Sequence, residues 1–301
     1  MLTAFISSQN AAGLGRPFIA RHRLVEYDFN RAVKWASSYA DPHCYSGGSP
    51  VANGAVVRNL AEVFSERNSP VPAGDMVIGA GQTVTHSGGA IDFSAVSAHG
   101  SYERGPATPA AAIWANGQYF LSMTCLTLPT TADWPEGPVV APIQAWTAGN
   151  NGYAANLDIA TTGMTKFAGS PGFAVLRQHG GAFATNSTYL LVPTAALGGF
   201  AQVATWCIPG ELGMSLTTSL GVVEADPVAP TANNSTNFSA LRPLRGIMSN
   251  LWTAEIANNG QRWKLHSSFD DAIGLDGRAL RTLIAENWGV EKAMKDAGIY
   301  S

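Results

Sequence analysis

The spacing of apolar positions changes twice along the chain. Between Leu24 and Tyr39, Val25, Phe29, Ala32, Val33 and Ala36 recur at three- and four-residue steps, which places them on one helical stripe. The spacing predicts a helix over residues 24–39. Asp41-Pro42 and Ser46-Gly47-Gly48-Ser49-Pro50 then bring turn-forming residues and a missing backbone donor. Residues 1–50 therefore read as an N-terminal extension.

Beyond Val51 the period becomes two, in short apolar runs separated by Gly, Pro, Asn and Ser clusters, the pattern of an antiparallel sandwich. The clearest strand is Gln118 to Leu128. Leu121, Met123 and Cys125 share one of its faces and Ser122 and Thr124 the other, and Leu126 and Leu128 reverse the phase as at a bulge. Asn116-Gly117 just before it predicts a tight hairpin. Further strands are expected at 140–146, 155–159, 173–178, 189–192, 200–208, 213–216, 246–252 and 261–266. In the last, Trp263 and Leu265 are expected to face inward and Arg262, Lys264 and His266 to face water. Asp226 to Asn237, with two prolines and two adjacent asparagines, reads as an exposed connecting loop. From Gly277 the period turns helical again, with Asp276 as N-cap and Leu280, Leu283, Ile284 and Trp288 on one stripe. The organisation expected is an extension over 1–50, a β-sandwich over 51–275 and a C-terminal helical tail over 276–301.

Composition narrows the function classes. Charged residues make up 13% of the 301, about half the usual fraction of roughly 25%. A net charge of −3 supplies no field to hold nucleic acid, whose binding leans on many phosphate contacts. No apolar run reaches the roughly 18 residues of a membrane span, and Met1 to Asn10 lacks a signal-peptide pattern, so neither membrane insertion nor classical secretion is expected and synthesis in a cytoplasm fits. Cys44, Cys125 and Cys207 show no paired spacing, which indicates neither a disulfide framework nor a zinc site. One segment is locally basic: Arg16, Arg21, Arg23, Arg31 and Lys34 face only Glu26 and Asp28. A solvated helix face explains it, and docking to an acidic partner through Arg21, Arg23, Arg31 and Lys34 is the alternative.

Catalytic chemistry finds little to work with. Between Gly105 and Ala240 stand eight charged residues, none clustered in sequence, and an acid–base pair would have to come from them. Glu224-Ala225-Asp226 is the one acid-x-acid pair in the β region, the arrangement that puts two carboxylates on one face of a strand, but it adjoins Pro227 at a loop edge. The six histidines lack metal-ligand spacing. Gly79-Ala80-Gly81-Gln82-Thr83 lacks the lysine of a phosphate loop. One stretch suits a sugar: Trp146, Asn150, Asn151 and Tyr153 offer aromatic faces for apolar ring surfaces and amides for hydroxyls. An ordinary Asn-Gly hairpin loop is its competing explanation.

Several segments together resemble the concanavalin A-like, laminin G-type jelly rolls of tailed-bacteriophage virion proteins. They are Gly89-Ala90-Ile91-Asp92-Phe93, the Phe120 to Leu128 strand running into Asp133-Trp134, and Arg262-Trp263-Lys264-Leu265-His266 followed by Leu275-Asp276-Gly277-Arg278. The resemblance implies two curved antiparallel sheets and a role as particle component, adhesion module or carbohydrate binder. Some members use calcium, but its aspartate ligands are not recognisable here, so no cofactor or metal is expected. The leading expectation is a non-enzymatic virion structural protein of tail, baseplate, fibre or head decoration, working with other virion proteins as a homo-oligomer, most simply a trimer. A lectin-like module binding a bacterial surface glycan is the alternative, and a glycan hydrolase using Glu224 the third.

Overall fold

The structure is a computed structural model of the chain, and it describes residues 33–42, 44–60, 76–80, 84–93, 101–104, 119–135, 141–147, 160–178, 185–232, 242–245, 263–271 and 277–300. The strands are β1 (Val33–Ser38), β2 (Val56–Val57), β3 (Met76–Ala80), β4 (Thr85–Ser87), β5 (Ala90–Asp92), β6 (Ser101–Arg104), β7 (Phe120–Thr127) and β8 (Ala141–Thr147). They continue with β9 (Ala160–Phe167), β10 (Ser170–Gln178), β11 (Thr185–Leu191), β12 (Phe200–Ile208), β13 (Glu211–Thr218), β14 (Gly221–Glu224), β15 (Arg242–Arg245) and β16 (Lys264–Asp271), and a helix α1 (Gly277–Asp296) follows. Among the described residues all ladders are antiparallel and form two eight-stranded sheets. Sheet A runs β14-β13-β12-β7-β16-β5-β4, with β1 also on β16, and sheet B runs β11-β10-β9-β8-β15-β6-β3-β2. The chain is a mainly β, jelly-roll-like sandwich, as the period-two pattern predicts. Two of the segments that carry the family resemblance lie side by side: β5 pairs with β16, Ile91 opposite Leu265 and Asp92 opposite Lys264.

The layers are sheet B, the sandwich interior, sheet A and then α1. Every residue of β7 except Thr127 is buried, because both faces of sheet A are covered. Ser122 and Thr124 point into the sandwich, where they meet Gln144 of sheet B at 3.1 and 2.8 Å. On the other face, Cys125 lies beside Gln202, whose amide donates to the Ile284 carbonyl of α1 at 2.9 Å. Leu280, Leu283, Ile284, Val290 and Met294 bury the helix on this face. The centre of the buried stripe is polar, Asn287 and Glu291, while Trp288 sits at its margin, stacked on Phe200.

Three sequence expectations need correction. Residues 33–38 are a strand: Trp35 pairs opposite Asp270 and Ser37 opposite Ser268. The indole and hydroxyl of these two residues both reach the Ser268 hydroxyl, at 2.8 and 2.9 Å. Pairing with β16 overrides the helical spacing of Ala32, Val33 and Ala36, so β1 belongs to the sandwich and not to a helical extension over 24–39; residues 24–32 lie outside the described residues. His266 does not face water: it is fully buried, ringed by Phe200 and Tyr300. It is the extra residue of a bulge, since Leu265 pairs with Leu126 and Ser267 with Cys125.

Third, Asp226 to Thr231 is largely exposed, as the loop expectation has it, but it is packed against the sandwich; residues 233–237 lie outside the described residues. Leu212 and Val228 exchange both backbone hydrogen bonds at 2.7 and 3.0 Å. Thr188 of sheet B donates to the Asp226 carbonyl at 2.6 Å, and Asn186 clasps Thr231 through both its amide atoms. The buried Arg177 guanidinium donates to the Thr231 carbonyl at 3.0 Å. The segment straps the two sheets together along the open side of the sandwich, because three polar side chains at the end of sheet B need its backbone as a partner.

The β9–β10 connection is a two-residue turn with positive φ at both Ala168 (49°) and Gly169 (85°), the conformation of a type I′ hairpin. Alanine carries a Cβ penalty there of about 1 kcal/mol. Ala168→Asn is expected to stabilise the protein by about 0.5–1 kcal/mol, read as a raised urea midpoint with unchanged slope.

Candidate functional site

Trp146 lies within β8, opposite Pro243 of β15, and not in a loop. Its expected companions Asn150, Asn151 and Tyr153 lie outside the described residues, as do Arg21, Arg23 and Arg31 of the basic segment. Lys34 is in β1.

The described surface presents a different aromatic site, on the outer face of sheet B. Register fixes it. Phe173 and Leu190 face each other and turn inward, so Tyr189 and Leu191 of β11 turn outward. Tyr189 is 57% exposed and Leu191 47%. Phe167, the last residue of β9 before the tight turn, lays its ring on that of Tyr189, with centroids 4.3 Å apart and planes at 27°. Gly172 makes this possible: a Cβ there would stand 2.7 Å from the Phe167 ring and 2.6 Å from the Leu190 carbonyl oxygen. The small residues Gly163, Thr165 and Ala174 lie buried in the same part of the sheet. The result is an aromatic facet of two stacked rings over glycine and alanine, edged by Leu191 and carrying one phenol hydroxyl. A flat apolar surface with a polar rim suits the C–H face of a sugar ring or an apolar side chain. The sequence signal for it was weak, because Tyr189, Leu190, Leu191 and Val192 are all apolar and alternation cannot say which pair faces out.

The carboxylates sort differently. Glu224 and Glu211 both bind Arg281 of α1: Glu211 takes the guanidinium Nη2 at 2.8 Å, and Glu224 lies 3.5 Å from Nε. The Trp206 indole also donates to Glu211, at 2.8 Å, and Arg281 lies over the Trp206 ring. Both acids are thus engaged in fastening α1 to the end of sheet A. Among the described residues no group of three or more His, Cys, Asp or Glu side chains is placed to hold a metal. The Cys207 thiol is buried, and that burial pushes its pKa up to about 11 against the smaller opposing pull of Arg177, so it is an inert core residue. Among the described residues no helix is long and apolar enough to cross a membrane.

No protein-family model and no curated protein matches the sequence. Solved structures do. The binding domain of botulinum neurotoxin serotype C1 superposes with a TM-score of 0.53 at 8% identity, over 86% of this chain and 53% of that one. The CBM2 module of the evolved Dit of Lactobacillus casei BL23 phage J-1 gives 0.42 at 13% identity, over 67% of this chain and 91% of the module. Trypanosoma rangeli sialidase in complex with sialic acid gives 0.48 at 13%, over 86% of this chain and 33% of the sialidase. This chain therefore spans about half of the neurotoxin domain and a third of the sialidase. At such identities the likeness is one of fold, and it rests on the neurotoxin domain.

Proposed function

We propose that the chain is a non-catalytic carbohydrate-binding β-sandwich that attaches a larger particle to a glycan-bearing surface, with the Phe167–Tyr189 facet as its contact. The observation that carries this reading is the exposed ring of Tyr189, 57% open to water beside the exposed Leu191 and stacked on the half-buried Phe167 on the outer face of β9–β11, an apolar facet whose exposure no packing role accounts for. The tailed-phage setting implied by the sequence resemblance fits, because an adhesion module repeated on a particle needs only a weak contact per copy. A non-catalytic role fits the binding of Glu211 and Glu224 by Arg281.

Glycan-array screening followed by calorimetry tests the proposal. Wild-type protein is expected to bind a bacterial surface glycan, and Tyr189→Ala to weaken that binding about tenfold, the loss of roughly 1.4 kcal/mol of stacking. The exposed position of Tyr189 predicts an unchanged fold by circular dichroism. Absence of binding to every glycan at high protein concentration would overturn the reading, and release of reducing sugar from the bound glycan would favour the hydrolase in its place.

A further inference from the structure

The outer face of sheet A is closed by α1 and the segment after it, and the closure is polar where an ordinary docked helix would be apolar. Tyr300 is buried to 1% exposure. Its hydroxyl donates to Glu291 Oε2 at 2.8 Å and meets the Ser38 hydroxyl of β1 at 3.1 Å, and Lys295 holds the Tyr300 carbonyl oxygen at 3.2 Å. Gly89 admits the segment: a Cβ there would lie 2.7 Å from the Ile299 carbonyl oxygen. Beneath Tyr300, 4.9 Å between ring centroids, lies His266, whose Nε2 shares a hydrogen bond with the Thr127 hydroxyl at 2.9 Å. Gln202 and Asn287 complete the polar contact further along the helix.

We propose that α1 with Ala297–Tyr300 is an acid-releasable cover over the outer face of sheet A, and that protonation of His266 releases it. The charges around His266 all bear on this. Its own strand supplies Lys264, which pairs with Asp92 of β5 at 3.7 Å. The helix supplies Lys295 and, through the Tyr300 hydroxyl, Glu291; β7, β12 and β1 offer Thr127, Phe200 and Ser38, all uncharged. An imidazolium under the closed cover would therefore be dry, with two lysines near, Asp92 opposing them from β5 and Glu291 engaged by the Tyr300 hydroxyl. Burial first, then Lys295 and Lys264, lowers the His266 pKa from 6.5 to about 3, and the Gly89 backbone and Asp92 pull upward without prevailing. The sign follows. With the cover open, His266 regains water and its ordinary affinity for a proton, while the closed form refuses one down to about pH 3. Closure is therefore at full strength above pH 6.5 and is lost progressively as pH falls from there toward 3. Release bares Phe200, Gln202 and His266, a second face with a ring and two hydrogen-bonding groups.

Hydrogen exchange followed by mass spectrometry on the full chain tests this, with rates corrected for the intrinsic effect of pH. Between pH 7.5 and 4.5, protection of the α1 amides is expected to fall about a hundredfold, the factor set by two pH units below the ordinary histidine pKa. The β12 and β13 amides are expected to keep theirs. Protection of α1 that stays constant, or that falls together with β12 and β13, would overturn the cover. His266→Gln keeps a hydrogen-bonding partner for Thr127 but takes no proton, so its α1 protection is expected to be flat with pH. A variant that folds and still responds would overturn the assignment to His266, and if it fails to fold the wild-type comparison decides by itself.

Discussion

Replacing Gln144 with leucine is expected to lower the unfolding free energy by about 3–5 kcal/mol, measured by urea denaturation. Gln144 stands 4% exposed between the two sheets. Its Oε1 accepts from Ser122 and Thr124, and its Nε2 donates to Thr162 at 3.2 Å and Thr205 at 2.9 Å. All four bonds that a primary amide can make are thus made. Leucine matches the volume but removes the acceptor that Ser122 and Thr124 share and strands the Thr124 hydroxyl in a dry interior, whereas Thr162 and Thr205 keep each other at 3.1 Å. A buried hydroxyl without a partner costs roughly 1–3 kcal/mol. Adding Thr124→Val to the leucine variant removes the stranded hydroxyl and is expected to recover part of the loss. A single variant as stable as wild type would mean that the clasp is not what joins the sheets.

Gly213→Ala is expected to cost about 2–3 kcal/mol, as overpacking of a rigid site does. Gly213 pairs opposite Trp206. A Cβ on it would stand 2.6 Å from two carbons of the indole, where real contacts of that kind are not found. The ring has no room to yield: it is 1% exposed, its Nε1 is bonded to Glu211, and Arg281 lies over its face. Relief requires moving Trp206 and with it the anchor of α1. The same variant is therefore expected to loosen the helix, seen as faster exchange of its amides, ahead of the sandwich. An alanine variant with wild-type stability and an undisturbed helix would contradict this account.

The amino-acid pattern by itself determined the class of the fold and several of its strands. Period-two runs at 200–208 and 140–146 appear as β12 (Phe200–Ile208) and β8 (Ala141–Thr147), and the helical stripe of Leu280, Leu283 and Ile284 appears in α1. Those signals are local, so residues adjacent in sequence suffice to read them. What lies across space had to come from the tertiary structure. Ser122 and Thr124 are the polar side of their strand and prove to be the interior face, because a partner that satisfies them, Gln144, belongs to the other sheet. His266 looks exposed by alternation and is buried, because a bulge shifts the register and a ring from residue 300 covers it. Residues 33–38 keep a helical spacing and form a strand, because β16, more than two hundred residues away, offers an edge. The Phe167–Tyr189 facet needs three strands in register and a glycine beneath, and the Glu211–Arg281–Glu224 cluster joins two strands to a helix. In each case the deciding contact is long-range, and hydrophobic spacing records only which side of an element is covered and never by what.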